Sequence, residues 1–151
     1  PYLSDRDIVA MERNTRDAFL AYAEAHPNAC IAIAQGQQPS LTDEQILALP
    51  PRVRQLGESR MEIYAAAFRA DTSQPIESLS GVELEEAMFQ IGDQMRATIS
   101  EEDLALIGAD AAILTGRERR YCEVMAKYEE LLSQHPRAGA LYRGLLLRRR
   151  E

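Results

Sequence analysis

Tryptophan is missing from this 151-residue sequence, lysine occurs once, at Lys127, and cysteine and histidine occur twice each. Each scarcity excludes something. With aromatic residues at only 6%, a core has to be assembled from Leu, Ile, Ala and Met. Cys30 and Cys122 stand far apart, with no Cys-x-x-Cys and no Cys/His cluster, so the donor spacing of a zinc site is missing. No metal and no cofactor is expected. Strand signals are missing too: no β-branched run alternates with polar residues, and no Asn-Gly or Asp-Gly turn occurs, which argues against hairpins.

Long apolar runs are also missing. None approaches the roughly 18 residues of a membrane span, and no stretch reads as a signal peptide. The sequence begins on Pro1 rather than Met, so a start Met or a longer leader, signal or anchor segment is expected to precede it. Gly-x-Ser-x-Gly, Ser-x-x-Lys, the P-loop and the glycine-rich dinucleotide turn are all absent, leaving no catalytic residue to nominate from motifs. The formal net charge of −7 sets the surface against a phosphate backbone, so no nucleic-acid partner is expected. Arg in place of Lys beside abundant Ala suggests a GC-rich, bacterial source.

Helix starts, by contrast, are plentiful. A Ser or Thr followed three residues later by an acid or Gln can satisfy the free N–H groups of a new helix. That pairing occurs at Ser4–Asp7, Thr42–Gln45, Ser80–Glu83, Ser100–Asp103 and Thr115–Glu118. Behind these starts the apolar residues recur at helical spacing. Ile8, Met11, Thr15, Ala18 and Tyr22 mark a first helix from about Asp5 to Ala25, with Phe19 beside the stripe. Short helices are expected after Pro27 and over "DEQILAL". The stretch after Pro50-Pro51 has Met61, Tyr64 and Phe68 on one stripe and Leu56, Ile63 and Ala67 on the next. Leu84, Met88, Ile91 and Met95 mark a helix to Ile99, and Ser100 is expected to restart one through "EEDLALIGADAAIL". Tyr121, Val124, Tyr128 and Leu131 mark a long helix from Arg117 to Gln134, and Pro136 opens the last. The expected fold is all-α: one domain, residues 1–151, a helical bundle of six to eight helices, several of them short.

The histidines, His26 and His135, each precede a proline. Proline disfavours helix in the residue before it and suits the first turn of a new one. His-Pro therefore reads as a corner. The rival, a metal or haem site, lacks supporting spacing: Ala23 and Leu132 stand where a Glu-x-x-His pattern needs Glu. Setting His26 on His135 also places Phe19 on Tyr128 and Ala23 on Leu132, a faint internal similarity.

Candidate residues are therefore few. The cysteines are two buried thiols, a reactive thiol, or a disulfide; a bridge of that span stabilises by about 4–5 kcal/mol in the loop-entropy model. Glu83, Glu85, Glu86, Glu101, Glu102 and Asp103 sit in first helical turns, where the dipole favours acids. The stripes carrying Met88, Met95, Tyr121 and Tyr128 are either core or the lining of a pocket or groove. Acids dominate from Glu77 to Asp103 and arginines from Arg117 onward, including Arg117, Arg119, Arg120, Arg137, Arg143 and Arg148 to Arg150. The two sets can pair within the fold or across a homo-oligomer interface. The Arg148–Arg150 tail is a weak candidate for an anionic membrane or acidic partner.

The reading that follows is a non-catalytic binding or assembly domain, the exported part of a bacterial envelope protein. It would be periplasmic or secreted (cytoplasmic is the alternative) and engage a protein partner or a second copy of itself. Partner or ligand contacts are expected from Met88, Met95, Tyr121, Tyr128, Arg117 and Arg120. The alternatives are a small-molecule-sensing helical domain with a Met/Tyr/Phe-lined pocket, and an all-α enzyme whose arginines hold a carboxylate substrate.

Overall fold

Hydroxyl side chains start four of the helices of this chain. The computed structural model describes residues 3–69 and 77–148, and among them nine helices and no strands occur. They are α1 (Asp5–Ala25), α2 (Ala29–Ala34), α3 (Asp43–Ala48), α4 (Pro51–Arg69), α5 (Gly81–Thr98), α6 (Glu101–Leu104), α7 (Ala111–Leu114), α8 (Glu118–Gln134) and α9 (Ala138–Arg148). Ser4, Thr42, Ser80 and Ser100 each accept the N–H three residues on, and at Thr42 and Ser80 the reciprocal bond from Gln45 or Glu83 closes the box. Proline works at the same boundaries: Pro51 is the first residue of α4, where its missing N–H costs nothing.

The count exceeds the expected six to eight because "EEDLALIGADAAIL" does not run as one helix. It breaks between α6 and α7, where Gly108 takes a φ of +78°, a conformation that glycine alone adopts cheaply. The fifth box also fails to form. The chain turns at Gly116, φ +80°. Thr115 then donates back to the Ala111 carbonyl, while the Glu118 carboxylate accepts from the Gly116 N–H. Arg117 occupies the cap of α8 without a side-chain bond.

Helix α8 is the axis of the bundle. It packs on α1 along most of its length and also meets α2, α5, α6 and α9. Two apolar clusters form along it. The first joins Ile8, Leu84, Ile91, Met95, Val124, Leu132 and Leu141 from α1, α5, α8 and α9. The second joins Phe19, Ala23, Cys30, Leu106, Leu114, Tyr121 and Cys122 from the other half of α1, from α2, from the α6–α7 region and from the start of α8. Within it Cys30 and Cys122 form a disulfide, with Cα atoms 5.5 Å apart.

Buried faces differ from the expected stripes in two helices. On α1 the buried set is Ile8, Met11, Asn14, Phe19 and Ala23, with Ala18 and Tyr22 at its margin. The helix is held between α4 and α8, so its covered face is wider than one stripe. Asn14 is buried because its side chain donates to the Leu56 carbonyl of α4 at 2.8 Å. Helix α4 packs chiefly on α1, so one narrow line of it is covered. Val53 and Ala67 are buried, whereas Met61 and Phe68 are 67% and 72% exposed.

The segregated charges pair inside the fold. Arg117 meets Glu102 at 2.9 Å, Arg120 meets Asp103 at 2.7 Å, Arg137 meets Glu83 at 2.7 Å and Arg148 meets Glu85 at 2.9 Å. These ties fasten the arginine-rich helices α8 and α9 to the acidic starts of α5 and α6. Arg149 and Arg150 of the tail lie outside the described residues. No described helix is long and apolar enough to cross a membrane.

Candidate functional site

A cavity of about 330 Å³ opens between α1, α4, α8 and α9, where α4 leans chiefly on α1. Its floor is α1, which contributes Met11, Glu12, Thr15 and Phe19. Helix α4 adds Arg60 and Tyr64, α8 adds Met125, Tyr128 and Glu129, and α9 adds Tyr142. Four of the nine aromatic side chains of the sequence line this one space.

Its polar groups converge from four helices. The Tyr142 hydroxyl donates to the Glu129 carboxylate. Glu12 hydrogen-bonds with Glu129 and with Tyr142. Arg60 Nη1 donates to Thr15 Oγ1 at 3.1 Å, and that hydroxyl donates on to the Met11 carbonyl at 3.0 Å. Burial pushes the Glu12 carboxyl up from 4.5 to about 8, and the hydrogen bond and negative charge of Glu129 push the same way. The Tyr142 hydrogen bond and the Arg60 charge oppose this with smaller effect. Tyr142 is driven above its ordinary range, first by burial and then by the two carboxylates. Two carboxyl groups crowded into a weakly polarisable space hold a proton that open water would take. The arrangement can therefore accept hydrogen bonds, offer one, and exchange a proton near neutrality.

The expected site residues fall elsewhere, with one exception. Tyr128 lines the cavity. Met95 is buried in the first cluster, with Met88 packed against it, and Tyr121 is buried in the second. Arg117 is in ion pairs with Glu102 and Asp103, and Arg120 with Asp103 and Glu123. The structure thus does not gather Met88, Met95, Tyr121, Tyr128, Arg117 and Arg120 into one place. Each histidine caps a helix, His26 closing α1 and His135 closing α8, and the His135 ring accepts the Arg137 N–H at 3.1 Å. The two corners line separate open clefts of about 380 and 390 Å³. Among the described residues no group of three or more His, Cys, Asp or Glu is placed to hold a metal ion.

The residues that build the cavity's polar centre, Glu12, Glu129, Tyr142 and Arg60, were not among the expected ones. A signal for two of them lies in helix phase. Glu12 falls four residues after Ile8 and seven before Phe19, and Glu129 falls four after Met125 and three before Leu132. Both acids stand on the apolar stripe of their helix, where a charge is costly unless it has partners. Comparison with protein-family models, curated proteins and solved structures finds no match to this chain.

Proposed function

We propose that the chain is a binding domain for a small, largely apolar molecule, held in the cavity between α1, α4, α8 and α9. One observation carries the reading: that cavity has aromatic and Met walls and only a few convergent polar groups, the usual make-up of a ligand pocket. The neutral dye N-phenyl-1-naphthylamine, which brightens in apolar surroundings, tests it. We expect saturable binding at one dye per chain. Ala34→Phe, which fills the rim, should weaken it at least about tenfold (roughly 1.4 kcal/mol) with helical circular dichroism unchanged. Absence of saturable binding, or binding indifferent to the filled rim, removes the reading.

A second reading is a protein-partner face on α4. Its support is the exposure of Met61 and Phe68 beside the cavity mouth, with Leu47 of α3 exposed as well, since exposed apolar area marks contact sites. For location, the Cys30–Cys122 disulfide favours an oxidising compartment, periplasmic or extracellular.

A further inference from the structure

We propose, building on the binding reading above, that the cavity takes an organic monocation: an ammonium group set between Glu12 and Glu129, carried on an apolar body that lies among Phe19, Tyr64 and Tyr128. Three features of the site point this way. The two carboxyls face one another from α1 and α8 and are linked by hydrogen bonds with each other and with Tyr142. Together they offer more acceptor oxygens than the Tyr142 hydroxyl and one shared proton can fill. The walls are aromatic, and ring faces attract cations most strongly where water is excluded. Among the described residues the one cation lining the cavity, Arg60, already donates to Thr15 and only weakly offsets the charge at Glu12.

The proton balance is explicit. An ammonium entering the pair replaces the proton held between the carboxyls, and that proton leaves to solvent. Near neutrality each bound cation should therefore release close to one proton. The groups that face Glu12 are Arg60 and Tyr64 from α4, Tyr128 and Glu129 from α8, and Tyr142 from α9. Burial, with the hydrogen bond and charge of Glu129, moves the range of Glu12 close to neutrality, to about 8. Below that pH the ammonium competes with a proton, and its affinity should fall toward tenfold per pH unit.

Calorimetric titration of the full chain with n-octylamine, 1-octanol and octanoate compares three heads on one apolar tail. Octylamine should bind about 10- to 100-fold more tightly than octanol, the range of a hydrogen bond to a charged group. Its heat should also vary with the ionisation enthalpy of the buffer, as released protons require. Glu12→Gln should collapse the octylamine-to-octanol ratio and abolish the buffer dependence. Equal binding of amine and alcohol, or tightest binding of octanoate through Arg60, overturns the cation and leaves the cavity reading standing. A ratio unchanged in Glu12→Gln also overturns it. Failure of all three molecules to bind overturns both.

Discussion

The bundle has two His-Pro corners, and it secures them by different means. After His26-Pro27 comes α2, six residues long, with Ala29 and Cys30 its only buried members. After His135-Pro136 comes α9, eleven residues long, with Ala138 through Tyr142 and Gly144 all buried. The short helix offers too little apolar area to hold its place by burial, at about 25 cal/mol per Å². It is fastened by the bond from Cys30 to Cys122, and the Cys122 sulfur also lies 3.4 Å from the Pro27 carbonyl. The long helix needs no such bond. It is held by fit, by the Leu79 N–H donating to the Ala140 carbonyl at 3.1 Å, and by Arg143, which donates to the Glu77 carbonyl at 2.6 Å and pairs with Asp5. The same local punctuation thus leads to a covalent solution where packing is poor and a packed one where it is rich.

Breaking the covalent corner should have the largest effect. The bridge closes a loop across a sequence separation of 92 residues, and replacing both cysteines by Ala should cost about 4–5 kcal/mol in the loop-entropy model. Denaturant unfolding of the double variant measures the loss. Amide exchange then locates it: residues 29–34 should lose protection before 138–148. Uniform loss along the chain would show that the bond acts only on the unfolded state. No loss at all would show that α2 is held by something other than the bridge.

Raising the pH from about 4.5 to about 8 should loosen the opposite corner. Glu12 carries a folded value raised to about 8, and its partner Tyr142 belongs to α9. A raised carboxyl contributes stability that is complete below the unfolded value near 4.5. That stability is lost as pH climbs toward and through about 8, by at most about 1.4 kcal/mol per unit. The surface carboxylates have the opposite sign. Glu83 is held below its usual range by the Ser80 N–H and hydroxyl and then by Arg137, and Asp103 by Arg120 and Ser100. What they contribute is present above about 4.5 and is lost on acidification. Thermal unfolding across pH should therefore peak on the acidic side of neutrality. In Glu12→Gln the decline between the optimum and about pH 8 should flatten while the one on acidification stays. An unchanged decline toward pH 8 in that variant would remove Glu12 as its source.

Much of the frame was legible in the sequence because it rests on local chemistry. Ser4, Thr42, Ser80 and Ser100 mark their helices from within four residues, and His-Pro marks both corners. The sequence expectation failed where geometry beyond the helix decides. A single glycine, Gly108, splits one expected helix in two, and Gly116 turns Thr115 away from its box. The Met61–Phe68 stripe of α4 has helical spacing like a core face, yet it stays exposed because α4 rests chiefly on α1. The cavity was hidden for a different reason. Arg60, Glu129 and Tyr142 reach Glu12 from three other helices, and no spacing within one helix shows that meeting. Glu12 and Glu129 each stand on the apolar stripe of their own helix, but only the packing of the helices brings the two carboxyls together.

The difference between fit and slack can be sharpened at two glycines, and here the expected effects are smallest. Gly139, in the first turn of α9, has no room for a methyl group. A Cβ there would stand 2.8 Å from the Asp5 Cα and 2.5 Å from its carboxyl carbon. The carboxylate can swing aside, but the backbone atom cannot without moving the start of α1. Gly139→Ala should therefore cost about 1–3 kcal/mol, as overpacking generally does. Gly57, in the middle of α4, has no unusual φ, and a Cβ added to it would meet nothing within 4 Å. There the methyl group meets solvent and removes only the backbone freedom that glycine has in the unfolded chain. Gly57→Ala should accordingly gain about 0.5–1 kcal/mol. Urea unfolding of the two variants against the parent measures both signs. Opposite signs follow if α9 is held by close approach and α4 is not. A tolerated alanine at Gly139 would mean that the α1–α9 contact yields, and that Arg143 and the Leu79 N–H, rather than fit, hold the second corner in place.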